Sequence, residues 1–148
     1  MKYISTKQYG HELGLSCAFR QWKADSHCKY IHGYALAFKF KFETDTLDSN
    51  NWVVDFGNLK ELKKTLEGIF DHKVLIATDD PHIDYFRQGH ELGVIDMIEV
   101  MGNGCEKMAE MVFDIANGWL LSAGYKPRVK LLSVEVKEHG SNSAIYSV

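Results

Sequence analysis

Between Tyr34 and Phe42 the chain alternates strictly: Tyr34, Leu36, Phe38, Phe40 and Phe42 interleave with Ala35, Ala37, Lys39 and Lys41. A period of two with one aromatic-rich face predicts a β-strand that buries that face. A weaker alternation from Gly10 to Phe19 sets Leu13, Leu15, Cys17 and Phe19 on one side and predicts an antiparallel partner strand, joined to the first by a loop over residues 20–31. After the turn-rich stretch 45–51 and Trp52-Val53-Val54, the period changes. Phe56, Leu59, Leu62, Leu66 and Ile69 recur at helical spacing behind Asp55, an N-cap residue type. A second helix is predicted from Asn103-Gly104-Cys105-Glu106, where Asn with Glu three residues on suggests a capping box. Its apolar face runs Met108, Met111, Val112, Ile115, Trp119 and Leu120, and it should end near Gly124. Two closing strands, 129–138 and 144–148, flank the turn composition His139-Gly140-Ser141-Asn142. Residues 77–101 show the weakest pattern, with Asp79-Asp80-Pro81 as a turn and a short helix through Tyr85 to His90.

The predicted order is therefore strand, strand, helix, helix, strand, strand, an α+β arrangement. At 148 residues with 45% hydrophobic content, the chain suits one domain over 1–148 with one core. No repeat or low-complexity tract interrupts it, and there are only two prolines, Pro81 and Pro127. The 17 basic and 20 acidic residues form no block that points to nucleic acid or an anionic membrane. No segment has the length and apolarity of a signal peptide or membrane span, so a soluble, cytoplasmic protein is expected. Three widely spaced cysteines, Cys17, Cys28 and Cys105, suit free thiols in a reducing compartment better than a disulfide framework.

Polar residues that sit where the local pattern favours apolar ones are candidates for chemistry, because an unpaired charge is expensive to bury. Glu138 ends the more apolar face of its strand, after Leu132, Val134 and Val136. A carboxylate there can accept paired hydrogen bonds from an amidine-like ligand edge, although a strand end frayed into solvent explains it equally. Cys28 lies in the polar loop Asp25-Ser26-His27-Cys28-Lys29-Tyr30-Ile31-His32, among cationic neighbours of the kind that surround reactive thiols. Asp71-His72 follows the first helix directly, where a carboxylate can orient an imidazole for proton transfer, or the helix end can simply favour a histidine. Glu106 has a sufficient structural explanation as a capping residue. His32 and Tyr34 share one strand face, at a spacing that would suit two zinc ligands if both were histidine. The other histidines, His11, His27, His82, His90 and His139, show no ligand spacing.

Taken in order, these features resemble the 6-pyruvoyl-tetrahydropterin synthase / 6-carboxytetrahydropterin synthase family. Cys28-Lys29-Tyr30-Ile31-His32-Gly33 is similar to the family's Cys-x-x-Leu-His-Gly-His, and Val54-Asp55-Phe56-Gly57-Asn58-Leu59-Lys60 to its hydrophobic-Asp-Phe-x-x-Leu-Lys. Leu66 through Asp71-His72 resembles Leu-Asp-His, and Gly102-Asn103-Gly104-Cys105-Glu106 resembles Asn-Pro-Thr-Ser-Glu. Val136-Lys137-Glu138, with Tyr146 downstream, comes last. The resemblance implies the tunnelling T-fold, a four-stranded antiparallel sheet with two helices on one face. It also implies homo-oligomeric rings, a hexamer among them, with active sites between chains. The implied substrate is 7,8-dihydroneopterin triphosphate or a close analogue, and the implied activity is that of a lyase whose 6-carboxy branch feeds 7-deazaguanines such as queuosine. Carried over by position, Cys28 is the general base, Asp71 and His72 its proton-relay partners, Glu138 the pterin anchor and Glu106 a supporting substrate contact. The family holds zinc with three histidines. Here only His32 matches, since Phe19 and Tyr34 stand at the other two positions. A catalytic zinc needs about three protein ligands. The alternatives are thus a site rebuilt on His32, Cys17 and His27, or a pocket that works without the metal. A non-catalytic pterin- or purine-binding protein and a metal-independent enzyme on a related heterocycle are the competing functions.

Overall fold

A computed structural model describes residues 1–148. Seven strands and three helices follow one another as β1 (Tyr3–Tyr9), β2 (Leu15–Phe19), β3 (His32–Thr44), α1 (Lys60–Phe70), β4 (Lys73–Ala77), α2 (Ile83–Glu91), β5 (Met97–Val100), α3 (Cys105–Ser122), β6 (Lys130–His139) and β7 (Asn142–Ser147). All strands join one mixed sheet in the order β5-β4-β2-β3-β6-β7, with β1 paired to β3. The α+β class stands, but the sheet is not the expected four-stranded antiparallel one. β2 with β4, and β4 with β5, pair in parallel; β5 comes from the segment 77–101, whose pattern is weakest, and β4 lies just ahead of it.

The first strand also differs from its expected form. The chain steps out of strand at Gly10, makes a 3-10 turn over His11–Leu13, and turns through Gly14 at φ 67°. Leu13 is consequently exposed rather than part of the buried stripe. The result is two short strands, β1 and β2, that share one edge of β3: Tyr3–Tyr9 pair with its second half and Leu15–Phe19 with its first. A 13-residue strand is long enough to carry both. The aromatic stripe of β3 behaves as its period requires, since Leu36, Phe38, Phe40 and Phe42 are each 0% exposed.

The helices cover this stripe. α1 buries Leu62, Leu66 and Phe70, with Leu59 just ahead of it. α3 buries Cys105, Met108, Ala109, Val112, Phe113, Ala116 and Leu120. The third helix, α2, lies in the segment 77–101, matching the short helix read there, and packs against β4 and β5. Phe56, assigned to the α1 stripe by spacing, is 51% exposed because residues 56–59 form a 3-10 turn ahead of the α-helix. Asp55 does cap that turn, accepting from the Gly57 backbone N–H at 2.8 Å. Asp55→Ala removes this acceptor and should lower stability by about 1 kcal/mol, read as a drop of about 3 °C in Tm. Trp52-Val53-Val54 forms no strand.

Two further corrections bear on the site. The capping box does not form: Gly104 is the N-cap residue of α3 and no side chain caps it. Asn103 instead turns inward and donates from Nδ2 to the Leu75 carbonyl at 2.9 Å, tying the start of α3 to β4. On β6, the pairing with β3 shifts between Ser133 and Leu131, so the buried residues are Leu131, Val134 and Val136, and Leu132 leaves the core face. A bulge that adds one residue flips the alternation beyond it.

Candidate active site

Four segments distant in sequence meet at the end of β2. Phe19, Gln21, Cys28, His32, Gly104, Cys105, Glu106, Glu138, Asn142 and Ser143 line a pocket of about 200 Å³. Larger grooves of about 460 and 510 Å³ run along α3 and between α1 and α3, but neither presents a histidine or cysteine. The smaller pocket is the one that gathers thiol, imidazole and carboxylate side chains.

Backbone geometry explains why it forms there. Gly33 lies so close to β2 that a Cβ would come 2.7 Å from the Cys17 carbonyl oxygen, so β2 and β3 draw together only with glycine at this position. This approach places Phe19 opposite His32 in the ladder. Gly104 has φ 104°, and a Cβ there would meet Gln21 Nε2 at 2.5 Å. Glycine therefore lets α3 begin against the loop that carries Cys28.

Of the residues singled out from sequence, Cys28, His32, Glu106 and Glu138 all reach this pocket. Cys28 sits in a 3-10 turn over His27–Lys29 that is capped by Ser26, whose hydroxyl accepts from the Cys28 N–H at 3.3 Å. Glu138 stands where the β6–β7 pairing slips between Lys137 and His139, an irregularity that re-aims side chains at a sheet end. Beside it lies Cys105, a pocket residue not anticipated as such although its motif was noted. Burial pushes the Cys105 thiol up to about 12, and the carboxylates of Glu138 and Glu106 add to the shift, so this thiol stays neutral. Gln21, Asn142 and Ser143 were also missed. Their only sequence signal is proximity to Cys28 and Glu138, because a polar loop residue carries no period.

Asp71 and His72 are placed differently. They form a hydrogen-bonded pair, Nδ1 of His72 to Oδ1 of Asp71 at 2.7 Å. Asp71 ends α1, and His72 follows with φ 60°, a conformation that is uncommon outside glycine. The carboxylate fixes Nδ1 as the protonated nitrogen and leaves Nε2 free. The His72 side chain is 85% exposed, and its backbone N–H donates to Ser16, towards the start of β2. Within one chain the pair does not line the Cys28 pocket.

The zinc implied by the resemblance does not fit the donors present. Phe19 is 1% exposed and offers no lone pair. Tyr34 packs against His32 with ring centroids 5.6 Å apart. Burial raises its hydroxyl above the ordinary value, and the charges of Glu138, Cys28 and Cys105 add to this. The rebuilt ligand set of His32, Cys17 and His27 fares no better, because Cys17 is buried in the core and neither it nor His27 lines the pocket with His32. Nowhere in the chain do three His, Cys, Asp or Glu side chains converge to hold a metal ion. His32 nevertheless keeps a ligand-like orientation: its Nδ1 must donate to the Tyr30 carbonyl, 2.7 Å away, which leaves Nε2 without a proton in the neutral ring.

Known proteins share this fold. The 6-carboxy-5,6,7,8-tetrahydropterin synthase of Aquifex aeolicus is 25% identical over 135 residues, covering 90% of this chain and 83% of that protein. Among solved structures, an uncharacterized protein of Wolinella succinogenes superposes with a TM-score of 0.84 at 17% identity, covering 99% of this chain and 98% of that one. The 6-pyruvoyl tetrahydropterin synthase of Plasmodium falciparum does so with a TM-score of 0.70 at 15% identity, covering 98% and 96%. These likenesses establish the fold. Residues 10–148 match the family model described as 6-pyruvoyl tetrahydropterin synthase, and the chain therefore belongs to the 6-pyruvoyl tetrahydropterin synthase family.

Proposed function

We propose that the protein is a pterin-transforming lyase that acts on 7,8-dihydroneopterin triphosphate or a close analogue without a bound zinc ion. The observation that carries this reading is the convergence of Cys28, Glu106 and Glu138 on one pocket, although 110 residues separate the first from the last. Glu138 accepts hydrogen bonds from the amino-pyrimidinone edge of the pterin, and Glu106 adds a contact beside it. Cys28 takes a proton from the substrate side chain as general base. The name of the Aquifex relative favours the 6-carboxy product, and with it a place in 7-deazaguanine synthesis such as that of queuosine.

A second copy of the chain completes the site. The pocket of about 200 Å³ falls below the ~300 Å³ at which ligand sites typically begin, so it lacks a wall. The exposed Asp71–His72 pair is oriented for proton transfer yet absent from that pocket, and a neighbouring subunit is the means of bringing such a pair to Cys28. β1 and β7 each pair on one side only, leaving edges on which a ring of subunits, such as a hexamer, can close. Three free thiols suit a cytoplasmic setting, and no helix is long and apolar enough to cross a membrane.

One observation favours a different reading: the aromatic side chains at positions 19 and 34 would also suit a binder that has lost the chemistry. Mass spectrometry of 7,8-dihydroneopterin triphosphate incubated with purified protein separates the two. Turnover by the wild type that falls about a hundredfold in Cys28→Ala is the expected result. Tight pterin binding without turnover, with or without added zinc, would overturn the lyase in favour of the binder. Equal turnover by Cys28→Ala removes Cys28 from the mechanism.

A further inference from the structure

The loop that carries Cys28 has few contacts of its own, because residues 20–31 contain one short 3-10 turn and no strand. Two residues at the end of β2 nevertheless tie it down on both sides. Arg20 donates from Nη1 to the carbonyl of Lys29, the residue after Cys28, at 3.2 Å. The rest of its guanidinium forms a fork on Asp80, Nε to Oδ2 at 2.8 Å and Nη2 to Oδ1 at 2.7 Å. The Asp80 side chain is 1% exposed, and its Oδ1 also accepts from the His82 N–H at 2.8 Å, which anchors the carboxylate at the entrance to α2. Phe86 of α2 lies under the guanidinium, 5.8 Å from ring centroid to Cζ.

The second tie runs the other way. The Gln21 N–H donates to the carbonyl of Cys28 itself at 2.9 Å. The Gln21 side chain donates from Nε2 to the Asn103 carbonyl at 2.7 Å. Asn103, in turn, is bound to Leu75 in β4. One strut therefore connects Cys28 to α2 and the other connects it to the start of α3, where Cys105 and Glu106 face the pocket.

We propose that Arg20 and Gln21 are positioning residues that hold the Cys28 thiol at a fixed place relative to Glu138, and that residues 78–91 serve this site by supplying Asp80 as the buried abutment. A bidentate guanidinium–carboxylate pair fixes direction as well as distance, which lysine cannot reproduce. Holding a reacting group within a fraction of an ångström is worth large rate factors, whereas anchoring of the pterin ring depends on Glu138 and is not expected to change.

The role of Cys28 as base rests on the proposed lyase function, but its placement can be read without turnover. Cys17 and Cys105 are buried, so the native thiol that reacts with a small aromatic disulfide reagent such as Ellman's reagent is Cys28. In Arg20→Lys and in Gln21→Met the Cys28 labelling rate should rise about three- to tenfold over wild type, with circular dichroism unchanged. Turnover of 7,8-dihydroneopterin triphosphate should lose about tenfold in kcat with KM within twofold. Arg20→Lys should retain more activity than Arg20→Met, because it keeps a charge for Asp80. Labelling rates equal to wild type in both folded variants overturn the proposal. A wild type that labels as described yet turns over no pterin overturns the lyase reading alone and leaves the brace standing.

Discussion

Phe19→His combined with Tyr34→His should turn this protein into a zinc binder. The rings at positions 19, 32 and 34 are already spaced for it: their centroids lie 5.1 Å (Phe19–His32), 5.6 Å (His32–Tyr34) and 6.1 Å (Phe19–Tyr34) apart. Three imidazoles bound to one tetrahedral ion at about 2.0–2.1 Å have ring centres roughly 5–6 Å apart, so the backbone spaces these three positions as such a site requires, with donors missing at two of them. His32 also presents a free Nε2, its other nitrogen being held by the Tyr30 carbonyl. After dialysis against micromolar zinc, the wild type should retain well under one zinc per chain by elemental analysis, and the double variant about one. The metal-free double variant should be the less stable protein, since it places an unpaired imidazole where Phe19 is buried. Zinc at about a thousand times its Kd would then restore roughly 4 kcal/mol, seen as a zinc-dependent rise in Tm that the wild type lacks. A folded double variant that binds no more zinc than wild type would show that the scaffold has been lost along with the donors.

That two substitutions separate the pocket from a metal site was visible in the sequence only through motif order, and the rest of the molecule divides in the same physical way. Elements with a strong period were legible: β3 buries the aromatic stripe its alternation predicted, α1 buries Leu62 and Leu66 of its face with Leu59 just ahead of it, and α3 buries Met108, Val112 and Leu120 of its face while Met111, Ile115 and Trp119 pack half-buried against the core. Errors arose where a single backbone event resets the period. Gly14 in a left-handed turn splits the first strand, and the shift at Ser133 moves Leu132 off the core face. The parallel strands β4 and β5 escaped because they are short: β4 carries a continuous apolar run, Val74 to Ala77, that shows no face preference, and the four residues of β5 are too few to set a period. At the site, Cys28 and Glu138 stood out because charge and thiol were out of place locally. Arg20, Gln21 and Asp80 did not, since a charged residue in a loop looks solvated until its partner, 60 residues away, is known. The Asn103–Glu106 capping box was the opposite error, a local rule that yielded to a tertiary bond with Leu75.

Removing the carboxylate of Glu138 should have the largest effect on ligand affinity. The side chain lies at a half-buried strand end, and the nearest thiol, that of Cys105, is pushed up to about 12 and so remains a neutral neighbour. Glu106 is the other carboxylate lining the pocket, and neither lysine nor arginine lines it to pair with Glu138. A ligand that presents a pair of N–H donors supplies what is missing. Hydrogen bonds to a charged group are worth about 1.5–3 kcal/mol each, so losing two costs about 3–6 kcal/mol. Glu138→Ala should therefore raise the Kd of a reduced pterin by about a hundredfold to ten-thousandfold, measured by calorimetric titration. Glu138→Gln separates charge from shape: it keeps one acceptor but turns an amide N–H₂ toward the ligand's own donors, and it should recover only a small part of the loss. Cys105→Ala tests the neighbour, which is expected to change affinity less than either because a neutral thiol contributes packing rather than charge. Pterin binding within threefold of wild type in both Glu138 variants would mean that the ring is held elsewhere, and the assignment of this pocket would fail with it.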